Sequence, residues 1–164
     1  MSPSSTSRGG PPRTPRRGSE EPTDRVPRPV VPDTSFLVQL AGPGGRATME
    51  GLERELGRPR FIVPSCVLNE LMALSRSLPE ADLALEFARG MEVVDAEGRP
   101  DDVVLDVASA VGGIVAAMDK GILREARRRG LATLTLHGGM PVISGSGGTR
   151  RARGFSASQP HRIY

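Results

Sequence analysis

Five carboxylates stand where chemistry is done in alternating strand–helix chains. Asp33 closes the short apolar run Val30-Val31, and Asp119 follows the run from Ile114 to Ala117. Asp101 and Asp102 open a helical pattern just ahead of that second run. Glu70 falls about one turn inside the helical stretch that leaves Phe61-Ile62-Val63. In open α/β sheets ligands gather beyond the carboxyl ends of the strands, so these acids can converge on one rim although the sequence scatters them. Like charges there repel: at ~4 Å a pair costs about 1 kcal/mol in water and roughly 4 kcal/mol at an effective dielectric of 20. Mg²⁺ or Mn²⁺ removes that repulsion, because hard divalent ions take oxygen ligands. Such ions also activate water and stabilise a leaving oxygen in phosphodiester cleavage. The plainer reading of each aspartate is a helix N-cap, and spacing alone does not choose between the two.

The elements that must hold these acids follow from apolar periodicity. A strand begins at Val30-Val31 and runs into Asp33. Met49, Leu52 and Leu56 recur at helical spacing, with Thr48 as the cap and Gly57 as the stop. Phe61-Ile62-Val63 is a buried strand closed by Pro64, and Ser65 caps a helix to about residue 77. Pro79 suits a first helical position, and Leu83, Ala84, Phe87 and Ala88 give the next helix its apolar face before Gly90. Met91 to Val94 is a strand. Asp101 caps a helix bearing Val104, Leu105, Ala108 and Val111. Ile114 to Ala117 is a strand, and Asp119 heads a helix ending at Arg127-Arg128-Arg129-Gly130. Ala132 to Leu136 is a strand, His137-Gly138-Gly139 a turn, and a last short strand lies near Val142. Strands separated by helices imply right-handed crossovers. The expected fold is a three-layer α/β/α sandwich with a mostly parallel central sheet.

Composition narrows the classes. The 164 residues suit one domain. No apolar run approaches the ~18 residues that span a bilayer. One cysteine, Cys66, and two histidines, His137 and His161, exclude a disulfide framework and a Cys/His zinc site. No Trp, one Tyr and four Phe argue against an aromatic platform for stacking bases. Ala41-Gly42-Pro43-Gly44-Gly45 lacks the Gly-Lys-Ser/Thr ending of a phosphate loop and reads as a connector. Residues 1–28 hold six arginines against three acids, and residues 144–164 hold four arginines and no acid. Both are rich in Pro, Gly, Ser and Arg and are expected to be disordered basic tails. The intervening 29–143, the expected folded domain, carries 12 basic and 16 acidic residues.

Three stretches in order, VVPDTSFLVQL, FIVPSCVLNELMAL and PDDVVLDVASAVGGIVAAMDKGILREARRRGLATLTL, resemble a PIN-domain nuclease. The likeness is greatest to archaeal-type PIN proteins akin to ribosomal-RNA-processing factors, and it spans 29–143. The resemblance implies catalytic metal ligands at Asp33, Glu70, Asp102 and Asp119, around Mg²⁺ or Mn²⁺. Ser35 matches a small polar residue that steadies the site, and Asp101 either assists or caps. One departure stands out: the family commonly has Thr-x-Asp before its last metal-binding acid, and this chain reads Ala117-Met118-Asp119.

The resemblance implies a divalent-metal-dependent endoribonuclease, cutting single-stranded or structured RNA in ribosomal-RNA processing or RNA turnover. Its expected partners are RNA, a ribosomal precursor particle and a second copy of the chain, with no membrane and a cytoplasmic location. Lys120, Arg124, Arg127 and Arg128 are the candidate RNA contacts, although a solvated basic helix end explains them equally. Two other readings stand beside this one. A PIN-like module can bind RNA or assembling ribosomes with little or no cutting, and a ribonuclease toxin can belong to a toxin–antitoxin pair.

Overall fold

Runs of two or three β-branched or aromatic residues form the centre of the molecule, and helices cover both sides. The computed structural model describes residues 28–145. The elements in chain order are β1 (Pro29–Pro32), α1 (Thr34–Ala41), α2 (Gly45–Leu56), β2 (Arg60–Pro64), α3 (Ser65–Ser75) and α4 (Pro79–Arg89). Then follow β3 (Glu92–Val94), α5 (Pro100–Val111), β4 (Ile114–Ala116), α6 (Lys120–Arg128), β5 (Ala132–His137) and β6 (Met140–Ser144). The sheet order is β3-β2-β1-β4-β5-β6. All pairings are parallel except β5 with β6, a hairpin. Gly138 and Gly139 turn it with φ of 56° and 78°, the left-handed pair that a two-residue hairpin turn demands.

Period-two alternation divides the core between two layers. Val30, Phe61, Ile114, Ala116 and Leu134 face Phe36, Leu40 and Leu52 from α1 and α2. Val31, Ile62 and Val115 face the helices α3 to α6 through Val67, Leu71, Ala84, Val104, Ala108 and Leu123. The three-layer sandwich expected from the alternation of strands and helices is the fold found. Among the described residues no helix is long and apolar enough to cross a membrane. The basic segments 1–27 and 146–164 lie outside the described residues.

Local expectations differ from the structure at several points. Helix α1 has no counterpart in the sequence reading. Its apolar residues serve both layers, Phe36 and Leu40 one and Leu37 the other, which blurs a single-face period. Thr48 does not cap α2: Gly44 does, with φ 85°. Thr48 is instead buried, and its hydroxyl donates to the Gly139 carbonyl at 2.6 Å. Ser65 follows the cap position and reaches across to β3's exit, its hydroxyl accepting from Ala96 N–H at 3.0 Å. Asp101 makes no cap bond, since Arg99 holds that position and Pro100 starts the helix. On α4 the buried residues are Ala81, Ala84, Leu85 and Ala88, while Leu83 and Phe87 face solvent. Val111 is exposed as well.

The rotated face of α4 has a measurable consequence. Leu85 is 5 % exposed and Leu83 58 %. Leu85→Ala should therefore destabilise the fold by about 2–4 kcal/mol, and Leu83→Ala should stay within about 0.5 kcal/mol of the parent. Urea midpoints of the two variants check this.

Candidate active site

β1 leaves its strand toward the rim at Pro32, with Val31 opposite Val115 and Pro32 opposite Ala116 on β4. The order of strands reverses here: β2 and β3 lie to one side of β1, β4 and β5 to the other. Such a reversal opens a crevice beyond the strand ends, because successive crossovers depart in opposite directions. Asp33 is the first residue past β1 at this crevice, and its N–H donates to the Ala116 carbonyl at 2.8 Å. Asp119 stands three residues past the end of β4. The backbone alone brings these two acids to neighbouring strand ends.

Asp33 is both cap and buried acid. Its Oδ1 accepts from the Phe36 N–H at 2.7 Å and its Oδ2 from the Ser35 hydroxyl at 2.8 Å. The side chain is buried, and one of the unpaired N–H groups in α1's first turn is satisfied by it. Burial moves its pKa up from 3.8 to about 6. The two hydrogen bonds oppose that rise, and the charges of Asp101 and Asp119 add to it. So Asp101 and Asp119 both stand within electrical reach of Asp33. Asp102 stands one residue on from Asp101, about 100° round the helix.

Asp119 caps α6, its Oδ1 accepting from Ile122 N–H at 3.0 Å. One oxygen remains for other work. Glu70 projects from α3, and its Oε2 accepts from the Thr34 hydroxyl. The segment Asp33-Thr34-Ser35 thus supplies one carboxylate and two hydroxyls, one for each of two acids. Ala117 is wholly buried among the side chains of the α3–α6 layer. The hydroxyl groups orienting this rim come from α1, not from the residue two before Asp119.

None of Asp33, Glu70, Asp101, Asp102 and Asp119 forms a salt bridge among the described residues. A buried carboxylate near like charges, without a cationic side chain, is the donor set that a hard divalent ion fits. Among the described residues no three such side chains are closed around a single point as they stand. Asp33 is the fixed member, and Glu70, Asp101, Asp102 and Asp119 are exposed at its edge.

The candidate RNA contacts separate along α6. Lys120 is exposed at the rim, next to Asp119. Arg124 is exposed about one turn further on. Arg127 and Arg128 lie at the far end, with Arg127 about 12 Å along the axis from Asp119. The Arg128 guanidinium is forked onto Glu125 at 2.6 and 2.8 Å, and that pair holds the Glu125 carboxyl down at about 2, with help from Arg129. Cys66 is half-buried, and burial pushes its thiol up, away from the thiolate that redox or metal chemistry requires.

Two clefts flank the rim. One, of about 510 Å³, is lined by Ser65, Cys66, Asn69, Asp95, Glu97 and Pro100 among others. The second, of about 440 Å³, lies between the α1–α2 connection and the β5–β6 turn, and includes Met118. Sequence reasoning found neither, because each is made by loops that approach only in the fold.

A family model described as "PIN like domain" matches residues 30–138. Ribonuclease VapC9 of Archaeoglobus fulgidus is 32 % identical over 109 residues, which are 63 % of this chain and 79 % of that protein. The structure of the PIN domain endonuclease Utp24 superposes with a TM-score of 0.59 at 20 % identity, covering 73 % of this chain and 93 % of that one. At such identity the superposition speaks for the fold, and the family match for the sequence. The matched residues run from β1 into the turn after β5 and contain all five acids of the rim. This chain belongs to the PIN domain family.

Proposed function

We propose that the protein is a divalent-metal-dependent endoribonuclease whose substrate is RNA, acting in RNA maturation or turnover. The observation that carries this reading is Asp33: a buried carboxylate, uncompensated by any basic side chain among the described residues, at the crevice where the strand order reverses. The 32 % identity to a protein named a ribonuclease supports the substrate class. The residues that would hold the ion are Asp33, Glu70, Asp102 and Asp119, with Asp101 beside Asp102 in the first turn of α5. Bound Mg²⁺ or Mn²⁺ would supply the positive charge that activates water and stabilises a leaving oxygen.

The chain's own residues set the stage for that chemistry. Ser35 and the Phe36 N–H fix the Asp33 carboxylate, each oxygen keeping a further lone pair for a ligand. Thr34 orients Glu70. Lys120, exposed beside Asp119, offers a positive charge to a neighbouring phosphate.

Two outcomes follow. With Mn²⁺ and a mixed single-stranded RNA pool, the wild type should cut, and Asp33→Asn and Asp119→Asn should each lose about a hundredfold or more. Chelation by EDTA should abolish cleavage. Equal activity in all three proteins, read on a sequencing gel, would remove the reading.

The second outcome is thermodynamic. Asp33 gives up its proton near pH 6 when folded and near 3.8, its ordinary value, when unfolded. The burial penalty is therefore absent below about pH 3.8, grows through the interval, and is complete above pH 6. It amounts to about 3 kcal/mol at neutral pH. Without metal, Asp33→Asn should raise the melting temperature at pH 7.5 and leave it unchanged at pH 3.5. Mg²⁺ or Mn²⁺ should stabilise the wild type increasingly as pH rises through 6 and should not stabilise the variant. Differential scanning fluorimetry over that pH range measures both.

A further inference from the structure

The two clefts beside the carboxylates differ in charge. The larger carries Asp95 and Glu97 and stands on the side of Asp101 and Glu70. The smaller is lined by Gln39, Met118, Leu136, Gly139 and Met140 among others, with no ionisable side chain. It shares chain neighbours with the rim. Met118 precedes Asp119, and Gln39 belongs to α1, the helix that Asp33 caps. At about 440 Å³ it is within the range of small-molecule sites.

Its walls are fixed to each other. The buried Thr48 hydroxyl of α2 holds the Gly139 carbonyl at 2.6 Å. Gly51 of α2 packs so closely on Pro141 that an added Cβ would stand 3.0 Å from its ring carbons. Met118 is half-buried, with its sulfur 4.0 Å from the Thr135 hydroxyl. Met140, by contrast, is 52 % exposed at the cleft's edge. Thioethers are polarisable and make favourable contacts with aromatic rings. Gln39 is exposed, and it is the one polar side chain in the lining; a carboxamide can both donate to and accept from a base edge.

We propose that this uncharged cleft is the subsite for one unpaired base of the RNA, next to the phosphate at the carboxylate rim. Met118 and Met140 supply the apolar contact that aromatic residues supply elsewhere, and Gln39 meets the base's hydrogen-bonding edge. The inference rests on the ribonuclease reading for its ligand, and it adds a requirement for single-stranded RNA at a defined position beside the cut.

The chain has six methionines, which makes a methyl-labelled spectrum a direct readout. The full-length protein, labelled with ¹³C-methyl methionine, is titrated with a short single-stranded oligoribonucleotide and with the same oligonucleotide made abasic at successive positions. Assignments come from Met118→Leu and Met140→Ala. The methyls of Met118 and Met140 should shift with the intact RNA, and an abasic site at one position should abolish that shift. In cleavage assays with Mn²⁺, Met140→Ala and Gln39→Ala should raise KM about tenfold with kcat little changed. The same abasic substitution should cost the wild type about tenfold and add little to either variant.

RNA that is cut while neither methyl moves would overturn the subsite and leave the ribonuclease reading standing. Methyls that shift in a protein that cuts nothing would keep the subsite and overturn the nuclease. A double-stranded oligonucleotide shifting both methyls as well as the single strand does would also overturn the proposal.

Discussion

A negative charge buried at the end of a strand is the constraint on which the rest of this molecule turns. Asp33 is drawn into the fold because it caps α1, and the cap is good: a backbone donor and a hydroxyl engage its two oxygens. Those bonds lower the carboxyl's pKa, and burial outweighs them. An ordinary structural cap would stand more in water and keep its usual acidity. The residue that organises the crevice is thus also the one that leaves it in need of a cation.

The sheet makes this need collective. Because β1 lies between β2 and β4, the connections that leave it and β4 diverge, and the carboxyl ends of both open on the same crevice. Asp119 and Asp101 reach it from separate crossovers and raise the Asp33 pKa through space. Glu70 reaches it from α3, tethered by Thr34. Four segments far apart in sequence meet because parallel strands place all their exits at one edge. The two core layers, one on each face of the sheet, hold those exits in register.

Much of this was legible in the residues, for a physical reason. Short apolar runs bounded by Pro, Gly and Asp are strands between caps, and β1, β2, β4 and β5 carry that signature. The acids after β1 and β4 were legible too, since strand ends are read directly from where an apolar run stops. What was not legible depends on which way a side chain faces. Leu83 and Phe87 fit a helical period as well as Ala81 and Leu85 do, but the latter are the ones buried in the core. Helix α1 is apolar on two sides because it borders both layers, so no single period marks it. Of Asp101 and Asp102, only the turn of α5 decides which acts on Asp33. The methionine-lined cleft was hidden for the same reason, because it exists only where the α1–α2 connection meets the β5–β6 turn.

The distribution of charge sets a last condition on how such a rim can work on a polyanion. The span 29–143 holds 16 acids and 12 basic residues, and five of the acids stand at the site. At the far end of α6 Arg128 is held by Glu125, and Arg129, just past the helix, by Glu125 and Asp106. That leaves Lys120 as the basic residue of α6 closest to Asp119. On the ribonuclease reading, a phosphate approaching the rim meets net negative charge unless an ion is already there. Coulomb repulsion at this range is of the same order as the binding gained from a few contacts. The cation would then be required for RNA to dock at the rim as well as for its cleavage, and metal and substrate would bind cooperatively. An uncharged cleft beside the acids relieves part of that cost, because a base brings no charge of its own and can anchor the strand while its phosphate waits on the ion.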